Sequence, residues 1–255
     1  MILVTGSSGF IGSSLVRLLK EVVPYDIKEL HDILDKEQLM EKMKGVDVVI
    51  HLAAKVSQEE SVLRPDYYYL HNIQGTQNVT ECCRICKVKK LVFASSAAAY
   101  SPYDNPYALS KWVGEQIVRH YTNAVVLRLF NVYGGSDKRP TILKTFVHQV
   151  KEGLPITIMG KDKTRDFIHV DDVCSIIKQV ALDDHIPHGN IDVGTGISYT
   201  LEEVAELVMS IAGRVPIKYA PPRQDIDKSC AKPVFDTKIS LVEGINEILN
   251  SYPDL

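Results

Sequence analysis

Met1-Ile2-Leu3-Val4-Thr5-Gly6-Ser7-Ser8-Gly9-Phe10-Ile11-Gly12 is the stretch that decides the fold. An apolar run of strand length passes directly into glycines at every third position, and a helical stretch follows from Ser13 to about Lys20. A strand, a glycine turn and a helix in that order bring backbone N–H groups and the positive end of a helix dipole to a pyrophosphate. Glycine spacing alone is weak, because any tight strand-to-helix turn uses glycine. The following residues strengthen it: Val22-Val23-Pro24-Tyr25-Asp26 ends in an acid about twenty residues past the first glycine, from where a carboxylate accepts ribose hydroxyls. Asp26 would repel a 2′-phosphate, and no arginine stands in the glycine turn. The expected cofactor is therefore NAD rather than NADP, held by Gly6, Gly9, Phe10, Ile11, Gly12 and Asp26.

Beyond Asp26, apolar strands alternate with helices, the pattern of a parallel sheet covered on both faces. The sequence predicts helices over 35–44, 75–87 and 107–121, and strands over 47–52, 90–94 and 124–129. Ligands of such sheets bind beyond the carboxyl ends of the strands, where Ala53-Ala54-Lys55, Ser95-Ser96 and Asn131 fall. After Gly134 the alternation becomes irregular. The fold class is α/β: a Rossmann-type doubly wound parallel sheet over residues 1–134 with a smaller, mainly substrate-binding cap over 135–255, segments around 164–196 returning to the first domain. Thr200-Leu201-Glu202-Glu203 has the capping-box form that opens a helix.

The chain's 255 residues, 45% hydrophobic and 24% charged, suffice for one nucleotide domain with a cap. A net charge of −3 gives no electrostatic case for nucleic acid or a membrane surface. The first strand begins at Met1, which leaves no room for a signal peptide, and no apolar run approaches the roughly 20 residues of a spanning helix, so the expected location is cytoplasmic. Five cysteines do not suggest a disulfide framework. Cys82, Cys83 and Cys86 read as small residues packing a helix against the sheet, and no metal site is assigned.

In Tyr107-Ala108-Leu109-Ser110-Lys111, a phenol and an ammonium stand four apart and share one helical face. Such a pair is usually a surface contact. Joined to a dinucleotide-binding start, it points to hydride chemistry.

These signals occur in an order that resembles the extended short-chain dehydrogenase/reductase family, in particular its NAD-dependent nucleotide-sugar epimerase and dehydratase branch. The resemblance runs over nearly the whole chain: Thr5 to Gly12, His51-Leu52-Ala53-Ala54, Asn72-Ile73-Gln74-Gly75-Thr76, Ser95-Ser96, Tyr107 to Lys111, Arg128 to Gly134 and Thr164 to Asp172. It implies that Ser96, Tyr107 and Lys111 are the catalytic trio. It implies also that Asp32 and Ile33 hold the adenine, that Ala53, Ala54 and Lys55 line the nicotinamide side, and that Asn72 supports that region. On the substrate side it implies Asn131, Arg165 and Arg223 at the diphosphate of a nucleotide sugar, with Met159 packing against uracil. Ser229 would stand beside the sugar's 2-position and leave room for an N-acetyl group. A homodimer is a further expectation of the resemblance.

The implied reaction is epimerisation at C4 of a UDP-hexose or UDP-N-acetylhexosamine through a transient 4-keto sugar. A free phenol titrates near pH 10, so base action near neutrality asks the site to favour the phenolate by about 4 kcal/mol. Dehydratases of the branch generally need an extra acid after the serine, where this chain has Ala97-Ala98-Ala99; dehydratase and reductase remain the enzymatic alternatives. A silent NAD-binding regulator ranks lower, because tyrosine and lysine are both present.

The chain is short in particular places. Glu29 to Ile33 resembles the end of a third strand, yet two residues separate it from Asp26, and parallel neighbours need a crossover of about a dozen. Similar shortfalls lie between Tyr100 and Tyr107, just after Gly134, and near Ala231-Lys232, where a helix is expected. Either the enzyme is trimmed or loop residues are missing from the sequence, and the lack of any bridging segment favours the second.

Overall fold

The structure, a computed structural model, describes residues 1–252 except 122, 136, 161 and 222–228. It divides into two units, Met1–Leu129 with Val173–Asp192, and Phe130–Asp172 with Val193–Leu255. The division falls just ahead of Gly134, and the returning segment is Val173–Asp192.

The first unit is built on β1 (Ile2–Thr5), α1 (Phe10–Leu18), β2 (Val22–Tyr25), α2 (Lys36–Met43), β3 (Val48–His51), α3 (Gln58–Leu63), α4 (Pro65–Tyr69), α5 (Gly75–Ile85), β4 (Lys90–Ser96), α6 (Pro106–Arg119) and β5 (Ala124–Leu129). The chain then passes through β6 (Asn131–Tyr133), α7 (Ile142–Lys151), β7 (Ile156–Met159) and β8 (Thr164–His169). It returns in α8 (Val170–Leu182) and β9 (Gly189–Val193), and ends with β10 (Ser198–Thr200), α9 (Leu201–Ala212), β11 (Ile217–Ala220) and α10 (Leu241–Asn250).

The main sheet has the order β2-β1-β3-β4-β5-β9, with β1 parallel to both β2 and β3, and β4 parallel to β3 and β5. Strand order reverses between β1 and β3, the switch point at which open α/β sheets bind ligands. β1 and β4 are apolar runs because they are covered on both faces, and Leu3, Val4, Leu91 and Phe93 are buried. The core beneath includes Val79, Cys82 and Cys83 of α5, so these cysteines pack as small hydrophobes.

Helix boundaries follow from local chemistry. Asn105 accepts the Ala108 amide at 2.9 Å and Pro106 opens α6, while Thr200–Glu203 and Ser240–Glu243 close full capping boxes on α9 and α10. α1 has neither device: Gly9 precedes it without a side-chain cap, and its first turn holds no acid. That turn has no acidic side chain to oppose an anion from outside the helix.

Two sequence expectations are corrected. Glu29–Ile33 forms no strand. The Asp26 carboxylate accepts the Lys28 amide at 3.0 Å, Glu29 N donates to Asp26 O at 2.9 Å, and Leu30 turns the chain at φ 61°, so the segment is a tight turn. The Tyr25 hydroxyl donates to Asp32 O at 2.7 Å, which keeps Asp32 near the carboxyl end of β2. With no third strand, no crossover is required, and the sheet ends on β2, whose Pro24 has no N–H to offer a further strand. The helix expected near Ala231-Lys232 is likewise not formed among residues 229–240.

The second unit carries a three-stranded sheet, β10-β8-β6, and a two-stranded one, β11-β7. Phe146, Val147, Val204, Val208, Ile245 and Ile248 from α7, α9 and α10 form its own core. Among the described residues, no helix is long and apolar enough to cross a membrane.

Candidate active site

In the first unit the glycine turn closes on itself: Gly9 N donates to Gly6 O at 3.0 Å and Ser13 N to Gly9 O at 2.9 Å. A Cβ on Gly12 would lie 2.0 Å from Gly6 O, so only glycine lets α1 start this close to β1. Gly6 sits at φ 72°, and a Cβ there would stand 2.7 Å from Ala53 N at the end of β3. The two strands flanking the switch point therefore meet through Gly6 and Ala53. Asp26 is buried at the tip of β2, its Oδ2 accepting the Ser8 amide at 3.0 Å and its Oδ1 the Lys28 amide.

Two observations fit a dinucleotide here. The hydroxyl of Ser7, in the middle of the turn, is buried and has no hydrogen-bond partner in the structure, which a phosphate oxygen would satisfy. The first turn of α1 adds the positive end of a helix dipole with no acid beside it. Asp32 and Ile33 lie on the link between β2 and α2: Asp32 Oδ1 accepts the Leu34 amide at 3.0 Å, and Ile33 is buried where a Cβ on Gly75 would meet its Cδ1 at 2.4 Å.

The catalytic candidates stand around the carboxyl end of β4. Ser96 is its last residue, and the Ser96 hydroxyl accepts the Ala98 amide at 3.2 Å, capping a single turn of 3₁₀ helix in which Ala97, Ala98 and Ala99 are buried. Tyr107 and Lys111 both lie on the buried face of α6, as the four-residue spacing requires. That face packs on β4, where a Cβ on Gly114 would meet the Phe93 ring at 2.9 Å. The Lys111 ammonium donates to Ala94 O at 2.8 Å and lies 5.2 Å from the Phe93 ring centroid. Burial pulls Lys111 down to about 8, opposed by the Glu115 carboxylate. Asn72 bridges the surroundings: its Oδ1 accepts the Lys55 amide at 2.8 Å, and its Nδ2 donates to Lys55 O and to Ser110 Oγ, both at 2.9 Å.

In the second unit, Asn131 Nδ2 donates to Asp166 O at 2.9 Å and to Ser229 Oγ at 3.3 Å, and Arg165 is buried with Nη1 on Thr164 O at 2.8 Å. β6 pairs with β8, which carries Arg165, and Ser229 is held beside both by the Asn131 bond and by its own amide on Thr164 O at 3.2 Å. Ser229 is itself buried, and its hydroxyl also accepts the Asp166 amide at 3.3 Å. Met159 ends β7 in the other small sheet, opposite Ala220. Arg223 lies outside the described residues.

Sequence reasoning missed the polar residues that hold these candidates in place. Glu115, fully buried on α6, accepts Ser95 Oγ at 2.6 Å, Arg128 Nε and Nη2 at 2.8 and 2.7 Å, and Asn190 Nδ2 at 2.9 Å. Asp166 accepts the amides of Thr195, Gly196 and Ala231 and the Thr195 hydroxyl. His51 lies between Thr5 and Thr76. The available signal was polarity where a buried face was expected: Glu115 falls four residues past Lys111 on the same helical stripe, and His51 closes an apolar strand.

A model of the NAD dependent epimerase/dehydratase family matches residues 2–194. A Methanocaldococcus jannaschii protein provisionally named UDP-glucose 4-epimerase is 33% identical, with 98% of this chain and 97% of the relative covered. That alignment runs over 306 positions, more than the 255 residues of this chain, so the relative carries internal segments that are lacking here. Among solved structures, the Thermus thermophilus UDP-glucose 4-epimerase in complex with NAD superposes with a TM-score of 0.86 at 29% identity, with 98% of each chain covered. The UDP-N-acetylglucosamine 4-epimerase of Methanobrevibacter ruminantium M1, in complex with UDP-N-acetylmuramic acid, gives 0.89 at 25% identity, covering 99% of this chain and 98% of that one.

Proposed function

The chain belongs to the NAD-dependent epimerase/dehydratase family, with NAD as its cofactor, and from that premise we propose that it interconverts UDP-sugars epimeric at C4. The observation that carries the reading is the α6 face, on which a buried tyrosine and a buried lysine lie against the β4 end that carries Ser96.

Bound NAD supplies the hydride acceptor and, in its reduced form, the donor. Tyr107 takes the proton from the sugar 4-hydroxyl, with Ser96 bridging, and gives it back when the 4-keto carbon is reduced from the opposite face. Lys111, charged below about pH 8, stabilises the phenolate. Asn72 fixes the backbone at Lys55 and, through Ser110, the first turn of α6. Gly6, Gly9 and Gly12 let the pyrophosphate approach α1, and Asp26 takes the adenosine ribose. Asn131, Arg165 and Arg223 anchor the diphosphate, so the keto sugar can turn without leaving; a guanidinium pair matches a pyrophosphate in charge and geometry.

Epimerisation is favoured over dehydration by the turn after Ser96. Where a lyase needs an acid, three buried alanines present hydrocarbon. Ser229, small at its position, leaves room for a 2-acetamido group, so UDP-N-acetylglucosamine and its galacto epimer belong to the substrate set beside the unacetylated pair. Incubation with NAD and a panel of UDP-sugars, with the products separated and identified, tests this reading: 4-epimers without net cofactor reduction are expected, and a 4-keto-6-deoxy product or none would refute it.

A further inference from the structure

Within the first unit, a chain of buried polar groups runs from β1 to α6, and its proton positions can be assigned from bonding capacity alone. The Ala53 amide donates to Thr5 Oγ1 at 3.2 Å, and Thr5 Oγ1 lies 2.7 Å from His51 Nδ1. On the other side of the ring, His51 Nε2 lies 3.1 Å from Thr76 Oγ1, which donates to Asn72 O at 2.6 Å. The Asn72 side chain then holds Lys55 and Ser110, and the Ser110 hydroxyl donates to Tyr107 O at 2.8 Å.

A carbonyl has no proton to return, so the Thr76 hydroxyl proton is committed to Asn72 O. The Thr76 oxygen must therefore accept from His51, and Nε2 carries a proton. A second proton on Nδ1 would set two N–H donors, from His51 and Ala53, against Thr5 Oγ1 and leave the Thr5 hydroxyl proton with no acceptor. With Nδ1 bare, Thr5 accepts from Ala53 and donates to the ring, and each group in the chain is satisfied. Burial acts in the same direction: the ring is 1% exposed, beside Phe93, and desolvation together with the Lys111 ammonium holds His51 down to about 3.

We propose that His51, neutral and protonated on Nε2, is a positioning residue that ties the cofactor-binding end of β1 and β3 to the turn carrying Asn72, and so sets the backbone of Lys55 and of Tyr107. Asn72 lies in a wide π-helical turn, Leu70–Gln74. Such turns are frequent at functional sites. The Thr76 hydroxyl closes this one on Asn72 O, and an Nε2–H ring donates to the oxygen of that hydroxyl and holds it from the other side. The proposal rests on Tyr107 as the catalytic base, and its test separates the two.

Nitrogen NMR of the protein without substrate should show, for the one histidine lost in His51→Gln, a bare Nδ1 and a protonated Nε2, unchanged between about pH 5 and pH 8. His51→Phe puts a somewhat larger apolar ring in its place and removes both bonds; kcat for UDP-sugar epimerisation should fall about tenfold, while KM stays within about twofold. A glutamine amide offers an acceptor and a donor at comparable separation, so His51→Gln should recover kcat to within about threefold. If the phenylalanine variant fails to fold, Thr76→Val, which cuts the bonds of that hydroxyl to His51 and to Asn72 and leaves the Thr5 side intact, should give the same loss in kcat. An Nδ1–H or charged ring, equal kcat for the Phe and Gln variants, or wild-type kcat in Thr76→Val would overturn the proposal. A wild-type protein inactive on every UDP-sugar but showing the Nε2–H ring would refute the reaction and leave the hydrogen-bond assignment standing.

Discussion

The Lys111 ammonium donates to the Ala94 carbonyl at 2.8 Å, so the lysine of α6 is pinned to β4 two residues ahead of Ser96. A buried ammonium needs such partners. This one holds the helix that carries Tyr107 in register with the strand that carries Ser96, which makes the trio one arrangement of α6 on β4.

Tyr107→Phe removes one hydroxyl from a buried site and should leave thermal stability and NAD affinity close to wild type. Loss of a general base costs at least ~100-fold in kcat. Steady-state assay beside calorimetric NAD titration checks this, and a variant turning over near the wild-type rate would remove Tyr107 from the mechanism.

Lys111→Ala should move the acidic limb of the kcat profile to higher pH, because the phenol loses the cation that favours its ionised form. The same lysine should show in stability. Its folded value of about 8 lies below the ordinary 10.5, so between those values the unfolded chain binds more protons and stability rises with pH. The cost of burying the ammonium is fully present below about pH 8. Urea unfolding at pH 8 and at pH 10 should show the change in stability between the two to be more favourable in the wild type than in Lys111→Met, which shares every other titrating group. Equal slopes would contradict the assignment.

The strand–glycine–helix opening, the alternation through Leu129 and the Tyr107–Lys111 stripe were legible because each is a local pattern with a fixed period. Register could also be read where capping residues were strong, as at Thr200–Glu203. The segment after Asp26 was misread because a third strand was inferred from Asp32-Ile33, whereas the Asp26 carboxylate and the positive φ of Leu30 turn the chain at once. Glu115, Asp166 and His51 escaped for another reason. Their roles depend on partners far away in sequence, such as Arg128, Ala231 and Thr76, and no periodicity reveals a partner.

Glu115→Leu should be among the most destabilising single changes in the first unit. It strands the guanidinium of Arg128, whose side chain is only 12% exposed, and breaking a buried pair from one side costs about 3–5 kcal/mol. Denaturant unfolding of Glu115→Leu, Arg128→Leu and the double variant should show the double variant losing less than the two single changes together. Full additivity would mean that the pair is not coupled.

Ser229→Tyr should suppress turnover of the acetylated UDP-sugars selectively if this position limits room beside C2. Ser229→Ala, which removes only the bonds to Asn131 and the Asp166 amide, should lower kcat/KM for both classes alike. Equal losses on both classes in the tyrosine variant would refute the gate.

In the proposed reaction one hydride leaves C4 and returns to the same carbon while the sugar stays bound. Conversion of UDP-glucose deuterated at C4 in ordinary water, read by mass spectrometry and NMR of the product, tests it most directly. The expected product is UDP-galactose with its deuterium retained at C4, with no accumulation of reduced cofactor. Loss of the label to solvent, or stoichiometric cofactor reduction, would contradict it.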